Sequence, residues 1–93
     1  MASGIKEAGE LKRIKKYPIS IPKYDRDLLF MLAVARNREY DDLASEVEHI
    51  RREMIGSSKD GLVGFISGKT YERTKELATM ARSYRNAIAR EGA

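Results

Sequence analysis

Between Ile66 and Leu77 the chain reads ISGKTYERTKEL, which gathers Ser67, Gly68, Lys69, Thr70, Tyr71, Arg73 and Lys75 into one short stretch. These residue types suit the binding of an anionic polymer better than bond-making. A serine followed by glycine at a helix start lets backbone amides approach a phosphate, because glycine has no Cβ and the helix start is partially positive. Lys69, Thr70 and Arg73 would then point toward bases or backbone, while Tyr71 would either pack inward or touch phosphate with its hydroxyl. Arg82 and Arg85 continue the polar side of the same segment, and Lys12, Arg13, Lys15 and Lys16 form a second basic cluster near the N-terminus. Flexible basic segments of that kind add phosphate contacts with little sequence information.

Catalysis finds little to work with. The chain has no Cys, which excludes disulfides and thiolate metal sites, and a single histidine, His49, which cannot build a histidine cluster. There is no P-loop, no glycine-rich dinucleotide turn and no nucleophile elbow. Asp41, Asp42, Glu46 and Glu48 crowd one short region, but acids at a helix start ordinarily complement the helix dipole on a solvated face. No enzyme activity, cofactor or metal is therefore expected.

The charge distribution points the same way. The net charge is +4 with a pI near 9.5, a balance that favours nucleic acid or anionic surfaces as partners. Residues 1–23 carry six bases against two acids, residues 24–56 five against eight, and residues 57–93 seven against four, so two positive ends flank an acidic middle. Gln is absent and Asn37 and Asn86 are the only Asn residues, while a third of the chain is charged. Such a composition is a hyperthermophile tendency and suggests an archaeal source. No apolar run approaches the roughly 20 residues of a membrane span, and the N-terminus lacks the apolar stretch of a signal peptide. A cytoplasmic protein, associated with nucleoid or plasmid and without a membrane partner, is the expectation. Ninety-three residues allow one domain, and a core of this size gains stability when two copies share it, so a homodimer is expected.

Hydrophobic spacing supplies the elements. Residues 1–23 read as a flexible basic arm, partly strand-like over Tyr17, Ile19 and Ile21 but interrupted by Pro18 and Pro22, which lack ladder donors. Residues 24–93 read as the folded domain. Asp25 is placed to cap a first helix whose run from Leu28 to Ala35 is apolar on every side, making it the central core helix. A second helix follows over residues 39–55, with Tyr40, Leu43, Val47, Ile50 and Met54 at spacings of three and four. GSSKDG is a loop and LVGFI a brief strand or extended link. Ser67 then caps a long third helix with Tyr71, Thr74, Leu77, Ala78, Ala81, Tyr84 and Ile88 on its apolar side. No internal repeat is visible.

DLLFMLAVARNREYDDLASEV followed by ISGKTYERTKELATMA resembles the helices of winged helix-turn-helix regulators, particularly the PadR-like group. The chain is also similar in size and layout to the site-binding proteins of archaeal plasmid-partition systems. The resemblance covers about residues 25–90 and implies a mainly α, helix-turn-helix or winged-helix-like domain with a short β element and a long C-terminal dimerisation helix over residues 79–90. It further implies sequence-specific binding of double-stranded DNA as a homodimer, with the third helix in the major groove. Transcription regulation is one role; partition, through an adaptor protein linked to a ParA-type ATPase, is the other. The usual turn-rich wing after the recognition helix is missing, so a wing would have to come from residues 56–66.

Two rivals stand beside this reading. Residues 12–55 resemble the ribbon-helix-helix order, with Lys12, Arg13, Lys15 and Lys16 suited to a ribbon in the major groove. Pro18 in the intermolecular ladder, and Asp41 and Asp42 where that fold anchors a phosphate, argue against it. The other rival is a helical adaptor that packs its last helix against a partner and binds no DNA.

Overall fold

The computed structural model describes residues 15–92, so Lys12 and Arg13 lie outside the described residues. The order is β1 (Lys16–Ser20), α1 (Ile21–Asn37), α2 (Asp41–Gly56), β2 (Val63–Ser67) and α3 (Gly68–Gly92). The chain is mainly helical, with one small antiparallel sheet in which β1 pairs with β2.

Residues 15–23, expected to end an arm, belong to the folded domain. Ile19 and Ile21 are buried, and Lys16 to Ser20 pair with Ser67 to Val63. Pro18 does not interrupt this ladder. It stands opposite Phe65, whose amide turns away and donates to Ser57 Oγ at 2.7 Å, so this is a non-hydrogen-bonded pair in which no donor is needed. Farther on, Ile21 N donates to Leu62 O at 2.9 Å, in step with that alternation. The ribbon that the sequence suggested would need a second copy is completed within one chain.

Both outer edges of this ribbon are blunted. Pro18 removes the central donor of the β1 edge. On β2, Ser57 occupies the Phe65 amide and Asp60 Oδ1 accepts from Leu62 N at 2.9 Å and Val63 N at 3.2 Å. These amides hold the Asp60 carboxyl below the usual carboxylate range. With the central donor of β1 absent and the Val63 and Phe65 amides of β2 occupied, the middle of each edge offers little to a further strand.

The helices differ from their expected bounds in instructive ways. α1 starts at Ile21 rather than near Asp25, because the strand runs straight into it with Pro22 in its first turn. Asp25 instead accepts a two-pronged contact from Arg51 of α2, at 2.6 and 3.4 Å. Leu28, Met31, Leu32 and Ala35 are buried, but Leu29 and Ala33 of the same apolar run face outward. α1 ends in a Schellman motif: Tyr40 N donates to Ala35 O and Glu39 N to Arg36 O, with Glu39 at φ 61°, a position that favours glycine. α2 buries Val47, Ile50 and Met54 as its spacing predicts, while Tyr40 lies outside the helix and half exposed.

Strands and helices also reveal a repeat that the sequence hides. A step of 47 residues carries Lys16 onto Val63 at the strand starts and Ile21 onto Gly68 at the helix starts. The same step superposes Ile19 on Ile66, Ser20 on Ser67, Tyr24 on Tyr71 and Arg26 on Arg73. It also relates Asp27 to Thr74, the two buried polar residues among those described. In the ladder it converts the pair Tyr17–Ile66 into Ile19–Gly64 and returns Pro18–Phe65 to itself. An exchange of antiparallel strands that leaves one pair in place is a two-fold rotation, so a local dyad through Pro18 and Phe65 exchanges β1 with β2 and, with them, the starts of α1 and α3. α2 has no counterpart among the described residues: the α1 positions Leu28, Leu32 and Ala35, which it helps bury, correspond on α3 to Lys75, Thr79 and Arg82, all exposed.

Candidate nucleic-acid interface

Side chains alternate across the ribbon, since successive residues of a strand point to opposite faces. Ile19 and Ile66 point into the core with Leu28, Met31, Met54 and Leu77. Lys16, Pro18, Ser20, Val63 and Phe65 point the other way and are exposed, with Ser67 half-buried. No described element covers this outer face, on which Phe65 remains 45% and Val63 38% exposed. The sheet thus presents a short polar-apolar-polar strip, with Pro18 and Phe65 at its centre.

A helix starts at each end of the strip. At one end Ser20 leads into Ile21, Pro22 and Lys23 of α1; at the other, Ser67 leads into Gly68 and Lys69 of α3, beside Lys15 and Lys16. Ser67 acts as the N-cap that the sequence predicts, its Oγ accepting from Thr70 N at 3.3 Å and donating to Thr70 Oγ1 at 3.0 Å. Gly68 has a packing reason for lacking a side chain, because a Cβ there would lie 3.1 Å from the Tyr17 ring. Tyr71 turns inward against Tyr17, ring centres 5.9 Å apart.

Most of the arginines are engaged with carboxylates, whereas Arg26, Arg38 and Arg90 have no carboxylate of the described residues within 4.0 Å. The engaged arginines staple the helices together: Arg73 grips Glu46 of α2 through two bonds of 2.9 Å and Glu76 at 3.0 Å. Glu46 first and Glu76 second raise the Arg73 pKa above its ordinary value, as Asp25 does for Arg51. Arg85 Nη1 lies 2.7 Å from the buried Asp27 carboxylate, in charge contact though outside hydrogen-bond geometry. Arg82 reaches the same group at 3.9 Å. Arg36 and Arg52 share Glu48. Most of the lysines stay available as well. Lys15, Lys23, Lys59 and Lys69 have no carboxylate of the described residues within 4.0 Å, while Lys16 and Lys75 make only long contacts of 3.6 and 3.9 Å.

The residues singled out along α3 therefore part company. Ser67, Gly68 and Lys69 sit at the ribbon end with Lys15 and Lys16, whereas Thr70 and Tyr71 are half-buried, and Arg73, Arg82 and Arg85 face carboxylates of α2 and α1. Lys23, Ser20, Pro18, Val63 and Phe65 were not recognised from sequence. A signal was present in LVGFIS, whose alternate positions leave a valine and a phenylalanine without an inward role once Gly64 and Ile66 face the core.

Other clefts are shallower in chemistry. One of about 250 Å³ lies between α2 and the start of α3, lined by Glu46, His49, Ile50, Lys69, Thr70 and Arg73. Among the described residues no group of His, Cys, Asp or Glu could hold a metal ion, and no helix is long and apolar enough to cross a membrane. Comparison with family models, with curated proteins and with solved structures gives no match.

Proposed function

We propose that this protein binds double-stranded DNA, with the outer face of the β1–β2 ribbon as its contact surface and the starts of α1 and α3 as phosphate contacts on either side. The observation that carries the reading is the uncovered strip itself, bordered by lysines that no described carboxylate pairs. A two-stranded ribbon fits the major groove, where apolar side chains contact thymine methyl groups and lysines contact guanine or phosphate. Helix starts attract phosphate through free amides and partial positive charge, although on α1 the Ile21 amide is taken by Leu62 O and Pro22 has none, so that end relies chiefly on Lys23. Lys15, Lys23 and Lys69 supply the cations that such contacts use.

The reading surface is thereby the ribbon and the supporting element α3, the reverse of the roles that residue types along α3 suggest. The reason is electrostatic: an arginine held by two carboxylates has less charge to offer a phosphate than an unpaired lysine. Either role implied by the resemblance, regulation or partition, requires this binding step first.

The test is a fluorescence-anisotropy titration of a random duplex at two salt concentrations. Binding should weaken steeply with salt, and the triple variant Lys15→Ala, Lys23→Ala, Lys69→Ala should lower the slope of log K against log salt by about 0.9 for each phosphate that those lysines neutralise. No binding at low salt would favour the adaptor reading, in which the last helix packs against a partner through a side that includes the exposed Met80 and Ile88.

A further inference from the structure

The local dyad relates scaffolds but not the side chains that face outward. Ser20 and Ser67 are equivalent across it, and so are the two helix starts. Lys16, however, corresponds to Val63, and Pro18 to Phe65. B-form DNA has local dyads of its own, relating the phosphates of its two strands, so a protein dyad places matched groups against both backbones while its base-facing groups decide what sequence is read. In a symmetric pair of chains those base-facing groups are identical and the target is palindromic. Here they differ at two of three positions.

A second copy is also not needed to finish the ribbon. Both strands come from one chain, and their outer edges are blunted by Pro18, Ser57 and Asp60. The face of α3 that corresponds to the α2-covered face of α1 carries Lys75, Thr79 and Arg82, so no second α2 is invited there.

We infer that a single chain is the complete reading unit and that its target is a short duplex element without internal two-fold symmetry. The inference rests on the ribbon as the DNA-contact surface. A five-residue strand rising about 3.4 Å per residue spans roughly five base pairs, so the specified core should be about that long. Lys16 specifies one side of it, Val63 the other, and Phe65 with Pro18 the centre.

The experiment is selection from a randomised duplex library with the full chain, followed by native mass spectrometry on the selected duplex. The expected result is a non-palindromic motif bound by one chain per duplex. The double variant Lys16→Val, Val63→Lys exchanges two exposed, dyad-related side chains. It should select a motif in which the base pair specified by lysine has moved to the opposite side of the step specified by Phe65. A palindromic motif occupied by two chains overturns the inference and leaves ribbon binding standing. Retention of no duplex at low salt overturns both, and an enriched motif unaltered in the double variant removes the assignment of the outward side chains.

Discussion

Gly64 lies under the last turns of α2, where an added Cβ would meet the Met54 carbonyl oxygen. That close approach lets a helix lie against a strand, and backbone on backbone cannot yield as a side-chain tip would. Gly64→Ala should therefore destabilise the domain by about 2 to 3 kcal/mol in chemical denaturation, in the range of core overpacking. Glu39 presents the opposite case. Its φ of 61° strains a residue with a Cβ, and Glu39→Gly should raise stability by up to about 1 kcal/mol after the entropy cost of glycine is deducted. Asp60 is a pH-sensitive residue with a definite sign. Its folded-state pKa is lowered chiefly by the Leu62 and Val63 amides, so its contribution is present above the unfolded carboxylate pKa and disappears as pH falls through the lowered value. The protection factors of the Leu62 and Val63 amides, taken against the intrinsic exchange rate at each pH, should fall as the pH drops through that window, and in Asp60→Ala they should be low at neutral pH as well. Unchanged exchange in that variant would contradict the capping role.

Among the elements, the spacing rules succeeded where one helix face meets one core. The stripe Val47, Ile50 and Met54 is buried as periodicity requires, and Ser67 caps α3 because a serine immediately before a helical run has few better conformations. They failed where an element's neighbours come from far along the chain. Asp25 has the composition of a cap, yet β1 feeds directly into α1 and leaves Asp25 in the helix, where Arg51 meets it. Asp27 and Arg85 show how α1 and α3 are joined: a carboxylate 3% exposed holds a guanidinium that also lies over the Phe30 ring. Removing the guanidinium leaves the buried carboxylate poorly compensated, so Arg85→Ala should cost about 3 kcal/mol, and the double variant Asp27→Leu, Arg85→Met should recover much of that deficit in thermal unfolding.

At the scale of the whole molecule, the dyad and the division of cations decide what the surface can do. The amino-acid sequence by itself determined the helices, the long uninterrupted α3, the exclusion of thiol chemistry and the basic ends, because these follow from residue type and from neighbours within a turn or two. Only the tertiary structure decided that residues 16–20 and 63–67 pair, since two short strands separated by a helical hairpin carry no local mark of partnership and Pro18 is harmless only in the register that turns its nitrogen outward. The repeat was hidden for a related reason: the few identities shared by the two units cluster at the strand–helix junction and the first turns beyond it, while α2 packs along α1 but meets the second unit only at β2 and the start of α3, and the exposed faces have diverged. Which cations remain free is likewise a tertiary fact, because an arginine is neutralised by whichever carboxylate a neighbouring helix brings within reach, and that distance is set by packing rather than by spacing along the chain.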